Sequence, residues 1–173
     1  ENENVIVTGA SHNHFNALHL FLRDWPLVTR DKKRLLVIYD LGLSENQLKT
    51  LNISYSFPVV WRTFKFLKFP RFFNISEARG EYAWKAVIVT EVHEECMCSV
   101  LWLDSGVKLS SNSVHQLELR MRKSGFVSSR TSGTIKDWVY PDSLNFLVTD
   151  TNIRMSLQVS VVRVLCSCIM FIV

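Results

Sequence analysis

Apolar positions along this chain fall into two patterns that alternate from the amino terminus onward. Short unbroken runs read as strands buried on both faces: Val5-Ile6-Val7-Thr8, Leu35-Leu36-Val37-Ile38-Tyr39-Asp40, Val59-Val60-Trp61-Arg62-Thr63-Phe64 and Val100-Leu101-Trp102-Leu103. Stretches with helical spacing separate them. Phe15, Leu18, Phe21 and Leu22 predict a first helix that starts at Asn13, His14 or Phe15, reaches Trp25 and is stopped by Pro26. Ser44 and Gln47 form a capping-box signature that opens a short helix through Leu48 and Leu51. Glu77 to Glu95 is the longest helical pattern, with Ala83, Ala86, Val87, Thr90 and His93 on its inner face and Glu91 toward water. This alternation predicts an α/β fold, a mainly parallel Rossmann-like sheet with helices on both faces.

Farther along, His115 to Lys123 predicts another helix, with Leu117 and Met121 on one side and Gly125 as its terminator. Phe126-Val127-Ser128-Ser129 reads as a further strand and Leu144 to Leu147 as a short helix. No linker-like composition interrupts the chain, so one domain is expected over 1–150, followed by an atypical apolar tail over 151–173. Within that tail, Arg163 and the polar Gln158, Ser160 and Ser167 favour a buried strand or helix over a membrane span.

Of the 173 residues, 47% are hydrophobic and 21% charged, which fits a folded domain and excludes wholesale disorder. The net charge of +4 says little about partners. Its distribution says more, because Arg62, Lys65, Lys68 and Arg71 interleave with Trp61, Phe64, Phe66, Phe69, Phe72 and Phe73. Such interleaving is one way to build a nucleic-acid surface, but no zinc pattern or nucleic-acid motif accompanies it. A loop whose basic residues face water or a small ligand's phosphates accounts for the same charges, and no nucleic-acid partner is expected. Cys96, Cys98, Cys166 and Cys168 form two Cys-x-Cys pairs, which lack zinc-knuckle spacing and leave bridging and buried thiols both open. The chain opens on Glu1-Asn2-Glu3-Asn4, with neither Met nor a signal segment, and reads as a piece of a longer protein.

Asp104 is the leading candidate for chemistry, because it closes the Val100 strand just before Ser105-Gly106. Ligands of open α/β sheets bind at the carboxyl edge of the strands. An Asp before Ser-Gly is also a common turn former. Thr8, Ser11 and His12 fall at the same expected edge, and Asp40 ends the second strand as Asp104 ends its own. The loop after the first strand has one glycine and neither a Gly-x-Gly-x-x-Gly nor a Walker pattern, so it signals no phosphate cradle.

Several phrases together carry a resemblance: Asn4-Val5-Ile6-Val7-Thr8-Gly9-Ala10-Ser11, His14-Phe15, Val37-Ile38-Tyr39-Asp40-Leu41-Gly42, Tyr82-Ala83-Trp84-Lys85 and Leu103-Asp104-Ser105-Gly106. Over Asn4 to about Leu147 the chain resembles a metazoan, nematode-rich family of uncharacterised proteins related to nucleotide-diphospho-sugar transferases. The resemblance implies a glycosyltransferase-A domain, carried on a secretory-pathway protein with an amino-terminal membrane anchor outside this chain, in the Golgi or another lumen. It implies a nucleoside diphosphate sugar as donor and an acceptor glycan or protein. In such enzymes an Asp-x-Asp binds the divalent cation that holds the donor's diphosphate. Asp104 matches the first carboxylate, and Gly106 stands where the second would be.

Mn²⁺ or Mg²⁺ is therefore expected at Asp104 with water and phosphate completing its shell, or else Lys85 and Arg79 meet the diphosphate without metal. Thr8, His12 and Asp40 are the remaining donor-binding candidates, Asp40 toward the ribose or base, and Asp137 and Asp142 are candidate catalytic bases. Trp138-Val139-Tyr140-Pro141 resembles a segment in which Thr-His-Pro is expected, so Tyr140 replaces a histidine. Lys85 also reads as a solvated helix position, and Trp84 as a packing anchor. The expected activity is glycosyl transfer to a hydroxyl, and the alternative is a degenerate nucleotide-sugar or carbohydrate-binding domain. A third reading, an interaction domain through Phe64 to Phe73, needs those rings exposed. Asn52-Ile53-Ser54 and Asn74-Ile75-Ser76 are acceptor sequons for a luminal domain. Beyond Leu147 the likeness fades where glycosyltransferase-A domains continue, so the domain reads as truncated.

Overall fold

Strands β1 (Val5–Ala10), β2 (Leu35–Asp40), β3 (Val60–Thr63) and β4 (Val100–Leu103) form where the apolar runs predict them. With β5 (Ile169–Ile172) they make one sheet in the order β3-β2-β1-β4-β5. The computed structural model describes residues 4–30, 33–77, 82–125, 127 and 169–172. β1 pairs in parallel with β2, from Val5 opposite Leu35 to Ala10 opposite Asp40, and with β4, from Val5 opposite Val100 to Val7 opposite Trp102. β2 and β3 are parallel as well, whereas β5, within the apolar tail, runs antiparallel to β4.

Alternation along the strands sends side chains to two faces, and both are covered. Ile6, Leu36, Ile38, Leu101 and Leu103 share a core with α1 (Phe15–Thr29), α2 (Glu45–Ser54) and α4 (Ser111–Ser124), through Leu18, Phe21, Trp25, Leu51, Val114 and Met121. On the opposite face Trp102 meets Trp84 of α3 (Ala83–Cys96) edge to face, with ring centroids 5.6 Å apart. The expected mainly parallel α/β sheet with helices on both faces is the observed one.

Three helices differ from their predicted form, α4 by starting at Ser111, four residues before the predicted His115, because the Ser110 side chain caps it by accepting the Ser113 N–H. α1 continues through Pro26 to Thr29, because the added turn buries Val28 completely and Arg34 donates to the Val28 carbonyl. Those tertiary gains offset the backbone hydrogen bond that proline cannot make. α3 begins only at Ala83, after Tyr82 in the left-handed region at φ 55°. Its buried face is Trp84, Lys85, Ile88, Val89 and Val92, and its 85/88/89/92 spacing lies two positions along from the predicted Ala83, Ala86, Val87 and Thr90 stripe that His93 extends. The large side chains turn inward because they fill the space above Trp102, and Glu91 stays outside as expected.

Local chemistry sets the remaining ends. Ser44 and Gln47 make the predicted capping box on α2, and Gly125 closes α4 at φ 70°. A disulfide joins Cys96 to Cys98 across Met97, so the bridge lies within one Cys-x-Cys pair. At the far side of the core Arg34 and Glu118 form a bidentate ion pair, Nε to Oε1 at 2.7 Å and Nη2 to Oε2 at 2.9 Å. No helix among the described residues is long and apolar enough to cross a membrane. Cys166, Cys168 and the expected helix at Leu144 to Leu147 lie outside the described residues, as does the expected strand at 126–129 apart from Val127, which is irregular.

Candidate functional site

Parallel pairing places the carboxyl ends of β1, β2 and β4 along one edge of the sheet, and the segments leaving them wall a cavity of about 840 Å³. Gly9 and Ala10 end β1 and Ser11 to His14 follow it, Leu41 and Gly42 follow β2, and Asp104 to Val107 follow β4. Tyr82, Trp84 and Lys85, at the start of α3, close the wall. Gly9 permits this convergence, since a Cβ there would lie 3.0 Å from Leu41 Cδ1 and 3.2 Å from both Trp102 Cη2 and the Tyr39 carbonyl.

Asp104 is the most heavily contacted polar group of the wall. Lys85 Nζ donates to its Oδ1 at 2.7 Å and to its Oδ2 at 3.0 Å, and the Trp102 indole N–H donates to Oδ1 at 2.7 Å. Residues two apart on an extended chain share a face, which is how Trp102 reaches the carboxylate beyond its own strand. Three rings surround the ammonium: Tyr82, Trp84 and Trp102, with centroids 4.9, 5.6 and 5.8 Å from Nζ. The Lys85 side chain is only 11% exposed, so the solvated-helix reading of this residue is overturned. Its charge is affordable in that position because a carboxylate and aromatic faces replace water.

The structure brings His12, Lys85 and Asp104 to one cavity. His12 is held by α2: its N–H donates to the Gly42 carbonyl at 2.9 Å, its Nδ1 lies 3.2 Å from Gln47 Oε1, and its carbonyl accepts from Gln47 Nε2 at 3.0 Å. The residue that caps α2 therefore also fixes the loop after β1. Asp40 does not line the cavity; its Oδ1 accepts the Gly42 and Leu43 N–H groups at 2.8 and 2.7 Å and builds the turn that puts Gly42 there. Thr8 is wholly buried, with no hydrogen-bond partner for its hydroxyl among the described residues, and shares the face of β1 that Ile6 and Ala10 turn toward α1. Arg79, Asp137 and Asp142 lie outside the described residues.

No family model matches the chain, and no curated protein matches it. Solved structures do. An active-site mutant of LgtC aligns at TM-score 0.55 and 14% identity, covering 97% of this chain and 56% of that one. The galactosyltransferase LgtC in complex with donor and acceptor sugar analogs aligns at TM-score 0.54 and 13% identity, covering 97% and 57%. The chain has a glycosyltransferase-A-like fold. It spans a little over half the length of those two structures.

A divalent cation takes oxygen ligands, and among the described residues of the wall Asp104 is the one carboxylate. Among the described residues no three His, Cys, Asp or Glu side chains gather closely enough to hold a metal. Asp104 Oδ1 already accepts two donors, which occupies both of its lone pairs, and an ammonium sits against Oδ2. In this structure the described partners of the Asp104 carboxylate are N–H groups.

The aromatic-basic segment packs largely on itself. Phe64 is buried and stacks on Phe69 at 5.0 Å, Phe69 stacks on Phe73 at 5.0 Å, and Phe66 meets Phe64 edge to face at 4.8 Å. That stacking argues against an interaction domain built on these rings, of which Phe72 is the exposed one. Sequence reasoning overlooked Trp102 as a polar partner and Gly9 as a contact. A Trp two positions before a strand-end Asp was the available signal for the first; the second depends on neighbours distant in sequence.

Proposed function

We propose that this domain binds a nucleoside diphosphate sugar in the cavity at the carboxyl edge of its sheet and transfers the glycosyl group to a hydroxyl of an acceptor glycan or protein. The observation that carries the proposal is the Lys85–Asp104 pair on that wall, in a glycosyltransferase-A-like fold. Departure of a diphosphate builds negative charge, and a preoriented cation in a partly enclosed site stabilises it. Lys85 supplies that cation, His12 contributes a polar edge on the β1 side, and Asp137 or Asp142 accepts the acceptor hydroxyl's proton. The resemblance to the nematode-rich family extends the reading to a secretory-pathway lumen. The exposed Asn52 sequon and the Cys96–Cys98 disulfide support that compartment.

A second reading, a donor-binding domain without turnover, is favoured by one observation: Gly106 stands where a second carboxylate is expected. Calorimetry with a panel of nucleoside diphosphate sugars tests the common core of both. Micromolar binding by the wild type and a loss of about tenfold or more in Asp104→Ala are expected. Absent binding in both, with folded protein, refutes donor recognition. Binding without release of nucleoside diphosphate in the presence of acceptors selects the second reading.

A further inference from the structure

The cation position beside Asp104 is filled by the protein itself. Lys85 Nζ contacts both carboxylate oxygens, and three aromatic rings hold it in place. We propose that Lys85 is the resident counter-ion of this site, so that the domain holds a nucleoside diphosphate without a divalent metal. This rests on the donor-binding reading above and adds which group takes the place of a divalent metal beside Asp104.

Charge balance carries the argument. Two carboxylates are neutralised by one divalent cation, whereas a single carboxylate is neutralised by one ammonium. Here Gly106 stands where the resemblance would place a second carboxylate, and the ammonium is present. Space at the Cβ does not explain the glycine: a Cβ at Gly106 would meet no atom of the described residues within 4 Å. A metal at Asp104 would have to evict an ammonium from its aromatic box or lie beside it as a second positive charge, and both are costly in a partly desolvated site. An ammonium has three donors, and two are directed at Asp104. The third has no hydrogen-bond acceptor among the described residues and is the donor offered to a phosphate oxygen in the cavity that Lys85 lines.

The test titrates uridine diphosphate and guanosine diphosphate into the full chain, in EDTA and in excess Mn²⁺, and measures Mn²⁺ binding alone by electron paramagnetic resonance. Expected for the wild type are nucleotide affinities within about twofold in the two conditions and no Mn²⁺ site. Lys85→Gln should lose about tenfold or more in EDTA. Lys85→Gln combined with Gly106→Asp should bind Mn²⁺ alone and regain affinity with it, while Gly106→Asp with Lys85 retained should bind no Mn²⁺. Mn²⁺ strengthening the wild type tenfold or more, or a wild-type Mn²⁺ site as tight as the double variant's, overturns the proposal. If no nucleoside diphosphate binds the wild type, the donor reading falls, and the resonance comparison still decides the role of Lys85. Circular dichroism monitors folding; should Lys85→Gln unfold, the wild type in EDTA against Mn²⁺ and Gly106→Asp alone carry the same contrast.

Discussion

Truncating Glu118 to alanine removes the carboxylate partner of the buried Arg34 guanidinium. The Arg34 and Glu118 side chains are 2% and 3% exposed, and two charge-assisted hydrogen bonds of 2.7 and 2.9 Å join them. In Glu118→Ala the Arg34 charge stays buried with only the Val28 carbonyl as a described acceptor. Removing one member of a buried pair costs about 3–5 kcal/mol. That is a large share of a domain stability of about 5–15 kcal/mol. For a chain of this size it corresponds to a fall in Tm on the order of 10 °C. Urea denaturation followed by circular dichroism measures the loss. Replacing both members, Arg34→Met with Glu118→Leu, removes the stranded charge and should recover most of the stability. A cost below about 1 kcal/mol for Glu118→Ala, or a double variant as unstable as the single one, would refute the reasoning.

Gly9→Ala places a methyl 3.0 Å from Leu41 Cδ1 and 3.2 Å from Trp102 Cη2 and the Tyr39 carbonyl. Overpacking of this kind should cost about 1–3 kcal/mol, with a changed tryptophan emission as the Trp102 indole leaves Asp104; unchanged stability and emission would count against the close approach. Burial raises the Tyr39 pKa above 10.0, and Glu91 pushes the same way against the opposing influence of Arg62. The unfolded chain therefore loses this proton first, so stability is level below about pH 10 and falls as pH rises through the folded value. Tyr39→Phe should make that alkaline decline shallower, and identical pH–stability curves for the two proteins would sink the assignment.

Strands β1, β2 and β4 were legible because they are buried on both faces and so appear as unbroken apolar runs bounded by turn residues, whereas β3 is exposed or half-buried throughout. The Ser44–Gln47 cap and the Gly125 terminator were legible because their chemistry is local. Position along the sheet was legible too, and Asp104 does leave β4 at the cavity edge. What failed depended on partners distant in sequence. The inner face of α3 was misjudged because Trp84 and Lys85 point inward only when Trp102 and Asp104 are beneath them. The end of α1 was misjudged because Pro26 is overruled by core contacts of the turn that follows it. Asp40 shows the converse: a carboxylate at a strand end beside the cavity whose Oδ1 serves backbone N–H groups of its own turn.

The Lys85–Asp104 contact ties the first turn of α3 to the exit of β4, while the Cys96–Cys98 bridge lies at the other end of the same helix–strand unit. A ligand that draws the ammonium toward itself acts on the anchor of the helix as well as on the cavity. Occupancy of the cavity and seating of α3 on the sheet are then linked equilibria, each changing the other by the same free energy. Amide exchange along α3 should report ligand concentration, and variants that loosen the far end of α3 should weaken binding without touching the cavity wall.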